Sequence, residues 1–277
     1  MTHPHEHDLG LLHDLGTLRR RNALRLFAGV GLAALAGCAD DKTTSSPPAT
    51  APSTTVAGPS SGSTTRTAAC ADEIPTETAG PYPGDGSNGP NVLTESGIVR
   101  SDLTKSFGSS SGVADGVPLT VELVVQDSEK CAALPGAAVY LWHCDAQGRY
   151  SLYSDGAQNE NYLRGVQAAD ASGKVTFTTI FPAAYSGRWP HIHFEVYSSL
   201  SEATAAGKIS ATSQLALPAE PCHAVYASTG YDGSAENLSR TSLEQDNVFG
   251  DDGGVRQLAT ASGSVQDGYV ARLTVAV

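Results

Sequence analysis

The run His191-Ile-His193-Phe-Glu195-Val-Tyr197 constrains this chain more than any other stretch, because its side chains alternate strictly. His191, His193, Glu195 and Tyr197 fall on one face, and Ile192, Phe194 and Val196 on the other. That is the period of a β-strand whose apolar face looks into a core. Two imidazoles at i and i+2 therefore stand side by side and point the same way. Such a pair can grip one metal ion. The residues just before it, Tyr185-Ser-Gly-Arg188-Trp-Pro, add a phenol and a guanidinium. A phenolate is a hard, anionic ligand better suited to ferric iron than to zinc or calcium, so the spacing points to a metal centre built on a strand.

The rest of the C-terminal part reads as more strands of the same kind. Residues 117–126 (VPLTVELVVQ), 137–144 (AAVYLWHC), 174–181 (KVTFTTIF), 212–217 (TSQLAL) and 269–277 (YVARLTVAV) are short, rich in β-formers, and bounded by turns such as Pro135-Gly136, Asp145–Gly148 and Ala171–Gly173. Glycine and proline are plentiful, at 29 and 15 residues, and the segments lack helical periodicity. The expected fold class is all-β, an antiparallel β-sandwich with long loops, chiefly 145–173 and 218–265. Long loops on such a scaffold carry sites.

The front of the chain is a different kind of sequence. Residues 1–38 hold a basic stretch (Arg19, Arg20, Arg21, Arg25), a short apolar run and then small residues, too short and wrongly flanked for a stable transmembrane helix. Arg20-Arg21-Asn-Ala-Leu24-Arg25 resembles a twin-arginine export signal. Leu35-Ala-Gly-Cys38 resembles a bacterial lipoprotein cleavage box, which makes Cys38 the expected lipidation site; the plainer alternative is an ordinary secretory signal that discards it. Residues 39–69 are rich in Ser, Thr, Pro and Ala with almost no large apolar residues, so they are expected to form a disordered tether. Residues 70–277 are then one domain, exported and lipid-anchored at the cell envelope, with the anchor its only membrane contact.

Removing residues 1–38 takes away four Arg and three Asp/Glu, which leaves a formal charge of −13. A surface of that sign repels nucleic acid and anionic headgroups and argues against both as partners. Four cysteines remain in the domain: Cys70, Cys131, Cys144 and Cys222. Their spacing fits no zinc motif, and an even number in an exported domain suggests two disulfides, with three possible connectivities. Of eight histidines, only His143, His191, His193 and His223 lie in the domain, and His143 reads as support for a strand end.

Three segments, PTETAGPYPGDG (75–86), GRYSLYS (148–154) and GKVTFTTIFPAAYSGRWPHIHFEV (173–196), resemble the intradiol ring-cleavage dioxygenases, the class that contains the catechol and protocatechuate dioxygenases. The resemblance runs from about Thr76 to Gln214 and is weaker around DNVF (246–249). It implies a non-haem Fe(III) cofactor held by two tyrosinates and two histidines, which here would be Tyr150, Tyr185, His191 and His193. It also implies a reaction: a catechol-type diol and O2 give a muconate-type diacid, with both oxygen atoms incorporated. By the same resemblance Tyr185 is the ligand that a catecholate displaces and that then takes up a substrate proton. Tyr150 and His191 would stay in the equatorial plane, with His193 opposite Tyr185, and Arg188 would stabilise negative charge on the substrate. Gln214 matches a supporting glutamine. Spacing alone leaves Tyr150 and Tyr153 as equals; the GRYS context favours Tyr150. Tyr82 either lines the pocket or packs.

The connection from Tyr185 to His191 is shorter than in the cytoplasmic members, and residues 70–117 are turn-rich where the catechol branch has helices. Both departures fit an exported branch with a more open site that accepts substituted catechols. Two rival readings stand beside this one. A non-catalytic surface sandwich that binds an aromatic or carbohydrate ligand has no need of two phenols around a His-x-His strand. A copper or zinc protein would recruit cysteine or more histidine.

Overall fold

Nine strands fall into two sheets in the computed structural model, which describes residues 70–277. The expected export signal, Cys38 and the expected tether lie outside the described residues. The strands are β1 (Pro118–Asp127), β2 (Ala132–Ala133), β3 (Ala138–Trp142), β4 (Arg164–Ala168), β5 (Lys174–Ile180), β6 (His191–Tyr197), β7 (Ile209–Ala216), β8 (Thr260–Ser264) and β9 (Gly268–Ala276). In β1 the expected alternation is plain: Leu119, Val121, Leu123 and Val125 are buried, and the residues between them look outward. One sheet runs β2-β1-β9-β8 with β5 also on β1, and the other runs β4-β3-β6-β7. A single apolar core, with Phe177, Ile192, Phe194 and Val196 among its members, fills the space they enclose. Each such side chain contributes roughly 1.5–3 kcal/mol by burial.

The expected antiparallel pattern holds for every pair but one. β1 and β9 run parallel, from Leu119 beside Tyr269 to Gln126 beside Ala276. A parallel neighbour needs a long crossover, and here the connection is most of the domain, since the last strand returns beside the first. The two long loops are also less bare than expected. Segment 145–173 contains β4, and 218–265 contains β8 and two helices, Ala219–Tyr226 and Ser234–Ser239. β4 (RGVQA) and β8 (TASGS) are short, glycine-containing and poor in large apolar residues, so pairing with β3 and β9 holds them rather than any pattern of their own. No helix among the described residues is long and apolar enough to cross a membrane.

The cysteine expectation needs correction. Cys70 and Cys131 form a disulfide, with Cα atoms 5.0 Å apart, but Cys144 and Cys222 are free and buried. The Cys144 thiol donates to the Ala183 carbonyl at 3.6 Å, and burial pushes both thiols up. They pack as small apolar groups instead of bridging.

β6 is the strand that positions the site. It lies between β3 and β7, with His193 opposite Trp142 on one side and Gln214 on the other. All seven of its residues are buried, including the polar face, because the segment before the first sheet crosses over it. The Glu77 amide donates to the Thr212 carbonyl at 2.8 Å, Gln214 Nε2 donates to the Thr78 carbonyl at 2.9 Å, and Gly80 sits directly against the His193 ring. A Cβ on Gly80 would lie 3.1 Å from His193 Cε1, and its φ of +71° is one that glycine adopts freely.

Candidate metal centre

Four side-chain atoms from three separate segments meet under that crossing segment. Going round, Tyr185 Oη lies 2.9 Å from His191 Nε2, which is 3.2 Å from His193 Nε2. That nitrogen is 3.2 Å from Tyr150 Oη, and Tyr150 Oη is 3.4 Å from Tyr185 Oη. Tyr185 therefore faces His193 across the ring, and Tyr150 faces His191. A point inside a quadrilateral of that size lies about 2 Å from each corner, the usual metal–nitrogen or metal–oxygen bond length. Among the described residues no three His, Cys, Asp or Glu side chains gather as a metal site; here phenols supply half the donors.

The protonation states suit a cation. A carbonyl can only accept, so the 2.6 Å contact with the Trp189 carbonyl puts a proton on His191 Nδ1 and leaves the Nε2 lone pair facing the ring. Burial, then the nearby Arg188 charge, holds His191 well below its ordinary value. Burial and the neighbouring His191 do the same to His193. Burial and the adjacent Tyr185 push the Tyr150 phenol well above its ordinary value. Without a cation, Tyr150, His191 and His193 are thus held neutral at the ring. A bound metal inverts that logic, because its own charge makes phenolates affordable in a dry site. These residues fit the ferric centre that the resemblance implies.

Each corner is supported differently. His193 Nδ1 is buried with no hydrogen-bond partner; instead its ring stacks on Trp142 at 5.0 Å and 9°, and Trp142 in turn stacks on Tyr140. Tyr150 is buried at the start of a tight turn, its amide donating to Ser154 Oγ at 2.9 Å. Tyr185 is the one corner that is only half-buried, and it is followed by exposed Ser186 and Gly187.

The other expected residues sort by distance from the ring. Arg188 is buried, with Nη1 3.4 Å from His191 Nε2 and Nη2 donating to Gln214 Oε1 at 2.6 Å. Its carboxylate partner is the buried Asp246, at 2.9 Å, and not a surface acid. Tyr153 stays outside the ring: its hydroxyl accepts from the Gly84 amide and donates to the Asn88 carbonyl. The Tyr82 ring packs 5.1 Å from both Tyr150 and Tyr153. His143 supports the end of β3, donating to the Cys144 carbonyl at 2.8 Å and pairing with Thr179 Oγ1 at 2.7 Å. Further along β6, Tyr197 donates to Glu195 at 2.6 Å, and burial pushes that carboxyl up to about 7.

Three contributors escaped sequence reasoning. Asp246 lies in the weakly matching DNVF stretch. Trp142 lies within the strand segment 137–144 with no signal of its own. Arg164, on β4, is fully buried and donates to the carbonyls of Tyr82, Pro83 and Ser151, which ties the Tyr82 segment to the Tyr150 turn.

A family model described as "Dioxygenase" matches residues 88–192, a span that includes Tyr150, Tyr185, Arg188 and His191. An intradiol ring-cleavage dioxygenase from Tetranychus urticae is 25% identical over 74% of this chain and 94% of its own, with a TM-score of 0.57. A second crystal structure, described as a dioxygenase, is also 25% identical, over 74% of this chain and 93% of its own, with a TM-score of 0.58. No curated protein matches the chain in sequence.

Proposed function

Taking this chain as the relative of the intradiol ring-cleavage dioxygenases that the family match and the fold make it, we propose that it cleaves the ring of a catechol-type aromatic with O2, using non-haem Fe(III), to give a muconate-type diacid. The observation that carries the reading is the ring of two phenol oxygens and two imidazole nitrogens with sides of 2.9 to 3.4 Å. Ferric iron held there would supply the charge that binds a catecholate and makes its ring reactive towards O2.

The chain's own residues have separable tasks. Tyr185, half-buried and at the edge, is the phenol that would make room for the diol and would take one of its protons at Oη. Tyr150, His191 and His193 are buried and stay. Arg188 offers Nη1 on the ring side, where it meets negative charge as it develops on the substrate. The segment 78–82 and the Tyr82 ring shut water from the far side. Oxygen uptake and diacid release with a panel of catechols test the proposal: iron-loaded protein should consume one O2 per catechol, and no uptake with any of them would sink it.

Export and lipid anchoring at Cys38 belong to the same proposal. The Cys70–Cys131 disulfide supports it, since such bridges persist in oxidising compartments. Substituted catechols are the proposed substrates, and the partly exposed Tyr185 edge supports that choice.

A further inference from the structure

The carboxylate of Asp246 has no contact with the ring atoms, yet two of the ring's neighbours hang from it. Oδ2 accepts from Arg188 Nε at 2.9 Å and from the Trp189 amide at 2.7 Å. Oδ1 accepts from the amides of Val248 and Phe249 at 2.8 and 3.2 Å. The side chain has no solvent exposure, and all the acceptor positions of a carboxylate are in use. The Trp189 amide is one link from the site, because the carbonyl of the same residue takes the His191 Nδ1 proton. The turn held by Oδ1 lays the Phe249 ring 6.5 Å from His191 and 5.9 Å from the Arg188 guanidinium.

We propose that Asp246 is a positioning residue: it holds the Arg188 guanidinium with Nη1 turned to the donor ring and holds His191 as the Nδ1–H tautomer. The inference rests on the dioxygenase reading, and it brings into the site a residue beyond position 192, where the family match ends. Every group that touches this carboxylate is a donor. An asparagine can satisfy only one side of it, since its amide nitrogen must face either the Arg188 and Trp189 donors or the Val248 and Phe249 amides. It would also leave Arg188 as a buried cation without its anion, free to turn onto the phenol oxygens.

The test compares Asp246→Asn with the wild type, first without iron. The slowly exchanging Arg188 Nε–H and His191 Nδ1–H resonances should be present in the wild type and be lost or displaced in the variant. With iron, the variant should keep its visible colour, and kcat should fall about 10–100-fold, as for other groups that orient metal ligands. Affinity for 4-nitrocatechol under argon should fall alongside. In an Arg188→Gln background the same substitution should change that affinity less than about twofold, because coupled partners are not additive. If Asp246→Asn does not fold, Asp246→Glu carries the test, since it keeps the charge and moves the carboxylate by one methylene. Unmoved resonances, or an equal loss of affinity in both backgrounds, would overturn the inference. A wild-type protein that takes up no iron and binds no catechol would instead overturn the dioxygenase reading, and the iron-free spectra still decide what Asp246 holds.

Discussion

Acidifying the iron-free domain should expose the cost of histidines buried without charge, and His143 gives the cleanest number. Its ring is 1% exposed, and burial pushes its pKa down from 6.5 to about 4. The Cys144 carbonyl fixes its proton on Nδ1, so a second proton would have to enter at Nε2, against the Thr179 hydroxyl. The folded value lies below the unfolded one, so the unfolded chain takes up the extra proton first. The contribution is therefore complete above about pH 6.5 and is lost as pH falls towards about 4. A gap of roughly 2.5 units at about 1.4 kcal/mol per unit comes to about 3 kcal/mol from this one residue. His191 and His193 are depressed in the same direction and add to the slope. Denaturant unfolding of iron-free wild type and His143→Gln between about pH 7.5 and 4.5 isolates the term. The glutamine keeps a donor and an acceptor but does not titrate, so its stability curve should fall less steeply, by up to about 1.4 kcal/mol per pH unit. Parallel curves would refute the argument that burial keeps His143 neutral.

Two tyrosines that look equivalent in sequence should behave differently. Tyr150→Phe should abolish the visible colour and most iron binding. Tyr153→Phe should keep both, losing about 1 kcal/mol for its hydrogen bonds to residues 84 and 88; iron assay and absorption spectra of both variants decide it. The chain's two tryptophans both touch the site, Trp142 by stacking on His193 and Trp189 through its carbonyl. Iron loading should therefore quench most of the tryptophan emission, and a chelator should restore it; an unchanged spectrum would place the metal elsewhere. Cys70→Ala opens a bridge that spans 61 residues and should cost about 4 kcal/mol by chain entropy, read as a lowered denaturant midpoint, while Cys144→Ala should remove one titratable thiol from the unfolded chain and leave the disulfide count unchanged.

The legible parts of this fold were those where one local rule decides. In β6 the alternation of histidine and glutamate with Ile192, Phe194 and Val196 announced both the strand and its two faces. β1 and β5 were as clear, for the same reason. β4 and β8 were not, because Gly165 and Gly263 sit within strands that exist only through their neighbours. The parallel β1–β9 pair joins residues about 150 apart in the chain, and nothing local marks such a partner. Cysteine parity suggested two bridges, but that Cys144 and Cys222 stay buried as free thiols is a tertiary fact. At the site, the residues with unusual chemistry stood out in sequence and the residues that orient them did not. Asp246 becomes visible only when Arg188 is seen to need an anion inside the protein, and Trp142 only when the face of the His193 ring is seen to need a support.

The central claim is that Tyr150, Tyr185, His191 and His193 hold one ferric ion. Visible absorption during anaerobic titration of the purified, iron-free domain with Fe(III) tests it most directly. The expected result is a tyrosinate-to-iron charge-transfer band that saturates at one iron per chain and shifts when catechol is added. A protein that stays colourless through that titration, or a band that survives in Tyr150→Phe unchanged, would contradict it.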